Sequence, residues 1–371
     1  MRSLLDTLNS QELAVLKLRN IYEDFGYKKF KVSRFEEYSY YLENRNFLFT
    51  KNIATFTDLD GRLMALKPDV TLSAVRNSKA SAGNPEKLYY IETVCRENQS
   101  YPSYQELSQT GVEFLGSVDL YTTMEMITLA AKSLEVFGGE YVLVVGNMDF
   151  VLDYFNSLGL NPDRTEKLLP YFTAKSAHEL RKAASGFGIK DEDYSKLCDL
   201  SLLHGEFPEI LIKAREFAST PVMQSVVAEM EAVYDAACAA GIAKNLRLDF
   251  AQLNDISYYN GVIFTGYLQG NPRVILSGGR YDRMMNKIGK KTGAIGFAVY
   301  LDEVPVSSER EYDADIFIFY EDDMLAGDLL KEVSRLTGEG LSVFVGRAPR
   351  KDIRHRRLYR FDSNGLGEVK C

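Results

Sequence analysis

Apolar residues recur at helical spacing at the start of the chain and then change to the alternating spacing of strands. A helix is predicted from Ser10 to about Gly26, since large apolar side chains recur every three or four residues between them. Neighbouring antiparallel strands are predicted from about 29 to 115, with a hairpin turn at Asp60-Gly61. The first third of the chain is therefore expected to be a helix followed by a sheet.

The rest of the chain separates into helical and strand-containing segments. A helix, a buried strand and a second helix are predicted over 118–158, and several successive helices between about 161 and 241. Strands return between 246 and 278, followed by a short helix and one more apolar segment. The pattern over 315–345 indicates a small strand–helix–strand unit.

The composition is typical of a folded globular protein that does not bind nucleic acid as its main role. Of 371 residues, 46% are hydrophobic and 26% charged, and the formal net charge is −8, the wrong sign for holding phosphates. Scattered cysteines and only three histidines disfavour a disulfide framework, a zinc site and a histidine-based catalytic triad. No signal peptide or membrane span is predicted, so we expect a cytoplasmic protein without metal or cofactor.

The first of three segments with candidate chemistry is Leu66 to Thr71. Here a strand ends at a proline, which places Asp69 and the Thr71 hydroxyl near the start of a helix. A shielded carboxylate at this position can hold an ammonium group. The alternative is that Asp69 only caps the helix, and for this segment alone that alternative is favoured.

The second segment contains Arg96, a polar turn and a strand ending near Phe114. Because strand side chains alternate, Gln109, Gly111 and Glu113 share one face, which is polar and has a glycine at its centre. Such a face can form the floor of a ligand pocket. An edge strand with a solvated face is an equally good interpretation of this segment in isolation.

The third segment joins a tyrosine pair to a double glycine. Tyr258 and Tyr259 precede Asn260-Gly261, and Gly278-Gly279 precedes Tyr281. Glycines let the backbone approach a ligand closely, and tyrosines offer both a flat wall and a hydroxyl. A double glycine alone more often marks a turn.

Taken in order, these segments resemble the catalytic domain of histidyl-tRNA synthetase, a class II aminoacyl-tRNA synthetase. The resemblance is carried by ALKPDVT, CRE with YQELSQTGVEFLG, ISYYNG, SGGRYDRM and GAIGFAVYLDEV. It implies an α+β fold with an antiparallel sheet flanked by helices. It also implies three parts: a synthetase-like domain over 1–160 and 245–306, a helical insertion over 161–244, and a truncated anticodon-binding-like βαβ piece over 307–371.

The resemblance implies a histidine pocket. Asp69, Thr71 and Gln109 would face the ammonium group, while Glu113 and Tyr259 would hydrogen-bond the imidazole. The full set of histidine-binding residues implied in this way is Asp69, Thr71, Arg96, Gln109, Glu113, Tyr258, Tyr259 and Tyr281.

The resemblance also implies that two catalytic positions are lost. Glu303 stands where the synthetase has an arginine for the ATP triphosphate, and Asn254 stands where it has the arginine at the reacting carboxylate. An acid in place of a cation turns an attraction of about 4 kcal/mol at ~4 Å into a repulsion. Tyr300 replaces a glycine nearby, and the basic residues of the motif 2 loop are replaced by Ser103 and Gln105.

A retained amino-acid pocket without ATP chemistry resembles the regulatory subunits of ATP phosphoribosyltransferase. This resemblance implies a non-catalytic chain in a hetero-oligomer with the short catalytic subunit, required for the first step of histidine biosynthesis and for histidine feedback. It further implies a homodimer within the assembly and no tRNA or membrane partner. The alternatives are a divergent synthetase-like enzyme that activates an amino acid, and a stand-alone histidine sensor.

A run of basic residues near the C-terminus is not explained by the resemblance. Seven arginines and lysines lie between Arg347 and Arg360, with Asp352 as the only acid. A solvated helical face is the favoured interpretation. A docking patch for an acidic partner and a relic of RNA contact are the alternatives.

Overall fold

The computed structural model describes residues 8–48, 50, 52–98, 101–253, 258–304, 312–321 and 326–369. Two compact units are present. The larger unit comprises residues 14–305, and the smaller comprises residues 306–371 together with 1–13. None of the described helices is long and apolar enough to cross a membrane.

A mixed β-sheet organises the larger unit. The described strands of this unit are β1 (Lys28–Lys29), β2 (Phe35–Glu37), β3 (Thr55–Thr57), β4 (Leu63–Leu66), β5 (Glu86–Glu97), β6 (Tyr104–Gly116), β7 (Tyr141–Asn147), β8 (His204–Glu206), β9 (Leu246–Asp249), β10 (Asn260–Leu268), β11 (Leu276–Arg280) and β12 (Gly293–Tyr300). Nine of them form one sheet in the order β1-β5-β6-β12-β11-β10-β7-β9-β8. Its six central strands are antiparallel, as predicted, while β1 pairs with β5 and β7 with β9 in parallel. The predicted hairpin of β3 and β4 joins β2 in a separate three-stranded sheet.

Helices cover the main sheet and supply most of its core. The described helices of the larger unit are α1 (Ser10–Asp24), α2 (Tyr38–Glu43), α3 (Thr71–Asn77), α4 (Leu120–Glu135), α5 (Met148–Ser157), α6 (Pro162–Thr173), α7 (Ala177–Ala184), α8 (Asp191–Ser201), α9 (Phe207–Phe217), α10 (Pro221–Ala239) and α11 (Asp282–Lys287). Buried side chains of α1, α4, α5 and of the helices between α6 and α10 form one cluster with the sheet strands. A second cluster, which includes Tyr41, Met148, Tyr258, Tyr281 and Met284, lies around the end of the sheet where the predicted polar segments meet.

The successive helices between 161 and 241 are present, but a strand interrupts them. β8 lies between α8 and α9 and pairs antiparallel with β9 at the edge of the main sheet. The sequence pattern did not predict β8, because three residues are too few to show a periodicity. The helical block therefore contributes one short strand to the main sheet.

The smaller unit contains the predicted strand–helix–strand element and two strands more. β13 (Ala314–Tyr320), α12 (Ala326–Gly338) and β14 (Val343–Gly346) form the parallel pair and its crossover helix. β15 (His355–Asp362) pairs parallel with β13, and β16 (Gly365–Val369) pairs antiparallel with β15. The interpretation of the basic run as a solvated helical face is wrong, since much of the run lies on strand β15.

Ion pairs within the smaller unit account for part of the basic run. Arg350 pairs with Asp352, Arg354 pairs with Asp313 at 3.0 Å, and Arg360 lies 3.5 Å from a carboxylate oxygen of Glu321. These side chains are exposed, so the pairs add little stability. They do lower the positive charge that the run presents as a surface.

Candidate functional site

The floor of the candidate site is formed by two paired strands, β6 and β12. β6 and β12 pair antiparallel. Each residue on the predicted polar face of β6 therefore lies beside a residue of β12 on the same side of the sheet. The facing pairs are Glu113 with Gly296, Gly111 with Ala298, and Gln109 with Tyr300. The prediction that Gln109, Gly111 and Glu113 share a face is therefore confirmed, and small residues lie at the centre of the floor.

Two glycines of the floor are required by close contacts. A Cβ atom at position 296 would lie 1.9 Å from Oε2 of Glu113, and one at position 111 would lie 2.3 Å from the carbonyl oxygen of Phe297. Neither site can hold a side chain unless neighbouring backbone or the buried carboxylate moves. Gly296 therefore leaves space for the Glu113 carboxyl group, and Gly111 leaves space for the Tyr90 phenol, whose hydroxyl would lie 2.6 Å from such a Cβ.

Asp69 acts at one end of the site both as a helix cap and as an ion-pair partner. Its Oδ1 accepts the backbone N–H of Leu72 at the start of α3 (2.8 Å), and its Oδ2 lies 3.7 Å from the guanidinium of Arg96. Arg96 also donates from Nε to the carbonyl oxygen of Pro68 at 2.9 Å. Burial raises the pKa of Asp69, and Arg96 opposes that rise.

Glu113 is the buried acid at the other end of the floor. Its Oε1 accepts the Thr71 hydroxyl and its Oε2 accepts the Tyr281 hydroxyl, both at 2.6 Å. Burial is the main reason that the pKa of Glu113 rises to about 8, and the nearby Asp69 raises it further, while the two hydroxyl donors lower it. Glu113 is therefore largely protonated at neutral pH in this structure.

Three tyrosines form one wall of the site. The ring of Tyr258 lies 4.5 Å from that of Tyr259 and 5.7 Å from that of Tyr281, measured between centroids, and all three residues are buried. Within the part of the chain that the structure describes, the Tyr259 hydroxyl and the buried Gln109 amide have no hydrogen-bond partner. Both residues line the cavity described below, so these two groups are suited to a ligand.

All eight predicted histidine-binding residues line a single cavity of about 30 Å³. Other residues that line it are Tyr90, Ser277, Gly296, Phe297, Ala298 and Tyr300. The sequence reasoning missed Tyr90 as a lining residue, although it lies an even number of positions before Arg96 on β5 and so shares its face. The space holds water but not an amino acid, so a ligand of that size has to displace lining side chains.

A buried ion pair supports the segment that carries Asp69. Lys67 is 1% exposed, and its ammonium group lies 2.7 Å from a carboxylate oxygen of Glu92 on β5. Glu92 also accepts the backbone N–H of Val32. The pair fixes the end of β4 against the main sheet, two residues before Asp69.

A model of the histidyl-tRNA synthetase family matches residues 4–304. The chain belongs to the histidyl-tRNA synthetase family. A relative from Thermoanaerobacter sp. (strain X514), named ATP phosphoribosyltransferase regulatory subunit, is 27% identical over 335 residues, which cover 87% of each chain. The predicted resemblance to these regulatory subunits is thus confirmed by a curated relative of that name.

Solved structures show the same fold. A structure from Bacillus halodurans C, described as an ATP phosphoribosyltransferase regulatory subunit/histidyl-tRNA synthetase, superposes with a TM-score of 0.79 at 21% identity, over 95% of this chain and 93% of that one. An ATP phosphoribosyl transferase (HisG:HisZ) complex from Thermotoga maritima gives a TM-score of 0.60 at 19% identity, over 78% of this chain and 96% of that one. The class II synthetase-like fold predicted from the sequence is confirmed.

The residues that differ from the synthetase pattern do not all line the cavity. Glu303 does not line the described cavity, and its carboxylate lies 2.5 Å from the guanidinium of Arg273. Arg273 therefore offsets part of the repulsion expected between Glu303 and a phosphate. Asn254 lies outside the described residues. Tyr300 does line the cavity.

A larger cavity of about 460 Å³ lies beside the motif 2 turn. Ser103 lines it, together with Arg45 and Glu97, whereas the Gln105 amide oxygen accepts a hydrogen bond from Asn98 at 3.0 Å. No described residue group is arranged to hold a metal ion here or elsewhere. The predicted site residues are therefore concentrated at the smaller cavity, which all eight of them line.

Proposed function

We propose that the chain is the non-catalytic regulatory subunit of ATP phosphoribosyltransferase and that it binds free L-histidine in the cavity of Glu113. The observation that carries the proposal is the assembly of all eight predicted residues around one cavity, which Tyr300 also lines. The names of the relatives support the partner. The proposal keeps the cytoplasmic location expected from the sequence.

The charges of the cavity suit a zwitterion. The Asp69 carboxylate would accept the ligand ammonium, and the Arg96 guanidinium, 3.7 Å from Asp69, would hold the ligand carboxylate. The unpartnered Gln109 amide and Tyr259 hydroxyl would complete the hydrogen bonds to the ligand. Glu113 would bond the imidazole, the only part of histidine that distinguishes it from other small amino acids.

The proposed regulation requires that histidine binds one state of the assembly better than another. A coupling free energy of about 1 to 3 kcal/mol changes the affinity for histidine between the two states by a factor of about 5 to 150. The small cavity gives this coupling a physical source, because binding must displace lining side chains. The lining residues come from several strands of the main sheet, so their displacement would act on the sheet.

The test mixes the purified chain with a short catalytic subunit and measures the condensation of ATP with phosphoribosyl pyrophosphate. We expect co-elution, a higher rate, and inhibition by L-histidine that Glu113→Gln weakens. Glu106→Gln, an exposed glutamate on the same strand, is the matched control and should leave inhibition unchanged. If the two chains neither co-elute nor change the rate, the proposal is wrong.

A second assay separates the alternative function. A divergent amino-acid-activating enzyme would catalyse exchange of pyrophosphate into ATP in the presence of histidine, whereas the regulatory subunit would not. Exchange activity by the chain alone, absent in Glu113→Gln, would replace the regulatory proposal with the enzymatic one. Histidine binding without either activity would favour the stand-alone sensor.

A further inference from the structure

Tyr300 stands at the opposite end of the cavity floor from Glu113. On the side of β12 that faces the cavity, the residues are Gly296, Ala298 and Tyr300. The size of the side chain therefore increases along the strand towards Tyr300. Tyr300 faces Gln109 across the strand pair. The Tyr90 phenol therefore covers the floor above Gly111, and Tyr300 blocks one end of it.

The groups around Tyr300 mark that end as the place for a carboxylate. Arg96 is the only cationic side chain among the described residues that line the cavity, and Tyr300 lies close enough to interact with both Arg96 and Asp69. Ser277 lines the same cavity as Tyr300. Burial raises the pKa of the Tyr300 phenol, so its hydroxyl stays protonated and can donate to an anion.

The backbone holds Tyr300 from both sides. Its N–H donates to the carbonyl oxygen of Ile275 at 2.8 Å, and the next residue, Leu301, is buried in the main core. Asp302, in the short 3-10 helix that follows, accepts the backbone N–H of Ser108 on β6 at 2.6 Å. The backbone at Tyr300 is therefore held by hydrogen bonds to neighbouring segments, and its ring forms a fixed wall of the cavity.

We infer that Tyr300 closes the carboxylate end of the cavity and so restricts its ligand to an amino acid whose carboxyl group is free. This rests on the proposed histidine site. A ligand whose carboxyl group continues into an ester or an acyl phosphate meets the phenol ring, whereas a free carboxylate lies between Arg96 and the Tyr300 hydroxyl. The excluded class includes any aminoacyl adenylate.

The experiment compares two ligands by titration calorimetry on the full chain: L-histidine, and a non-hydrolysable sulfamoyl analogue of its adenylate. The wild-type protein should bind histidine and reject the analogue. Tyr300→Ala should improve binding of the analogue relative to histidine by at least about tenfold, the scale on which a pocket rejects an oversized group. Tyr300→Phe keeps the ring, so it should still reject the analogue while binding histidine a few-fold more weakly.

The outcomes separate this inference from the proposed function. If wild-type protein binds the analogue as tightly as histidine, the inference is wrong and the histidine site stands. The inference is also wrong if folded Tyr300→Ala and Tyr300→Ser both still reject the analogue. If wild-type protein binds neither ligand, the histidine site itself is wrong, and the inference falls with it.

Discussion

Replacing Glu113 by glutamine should remove a pH-dependent loss of stability. In the folded protein, burial holds the pKa of Glu113 at about 8, compared with an ordinary value of 4.5. An acid whose pKa is raised by folding contributes its full stability only below its unfolded pKa. That stability is lost as the pH rises towards the folded pKa, because the unfolded chain ionises first.

The size of the effect follows from the two pKa values. At about 1.4 kcal/mol for each tenfold change, the contribution lost between about pH 5.5 and about pH 8.5 is roughly 3 kcal/mol. Glutamine cannot ionise, so the variant loses nothing through this group. Like protonated Glu113, glutamine donates to one of the two hydroxyls, so this bonding pattern changes little below the folded pKa.

The assay is urea unfolding followed by tyrosine circular dichroism at several pH values. Relative to the wild-type protein, Glu113→Gln should gain roughly 3 kcal/mol of unfolding free energy from the lower to the higher pH. The control is Glu106→Gln, which removes the same formal charge from an exposed position on β6 and should give a flat difference. A difference between Glu113→Gln and wild type that does not change with pH would refute the reasoning.

Three further substitutions test other parts of the structure. Lys67→Met leaves the largely buried Glu92 without its cation and should cost about 3 kcal/mol in urea unfolding, part of which the double variant with Glu92→Gln should restore. Asp119→Ala removes the cap that accepts the backbone N–H of Thr122 at 2.8 Å and should cost about 1 kcal/mol in the same measurement. Gly296→Ala should abolish histidine binding in calorimetry, because its Cβ would lie 1.9 Å from the Glu113 carboxylate; unchanged affinity would contradict the assigned floor.

The parts of the site that the sequence predicted depend on local periodicity. The shared face of Gln109, Gly111 and Glu113 follows from the two-residue repeat of any strand, without knowledge of its neighbours. The helix cap by Asp69 is also predicted from the local sequence, as the alternative to holding an ammonium group. In the structure Oδ1 accepts the capping N–H of Leu72, and Oδ2 lies 3.7 Å from Arg96, a partner that the sequence did not predict.

The parts that were missed depend on partners far away in the chain. That Tyr300 faces Gln109 is set by the pairing register of β6 and β12, which no local pattern contains. The offset of Glu303 by Arg273 likewise joins residues thirty positions apart. Strand β15 was missed for a different reason. Asn364-Gly365, with a positive φ at the glycine, indicates a hairpin, but the charged residues before it were interpreted as a solvated helical face.

The polarity of the cavity supports the proposal that a ligand binds there. Burying Asp69 and Glu113 costs free energy that a core of the same volume built from apolar residues would not, so the site is not explained by stability alone. Their bonds to Leu72, Thr71 and Tyr281 offset part of this cost, but the Gln109 amide lacks a described partner. On the proposed function, a zwitterionic ligand would supply a partner for this amide, and the groups that make the empty site costly would make the occupied site selective.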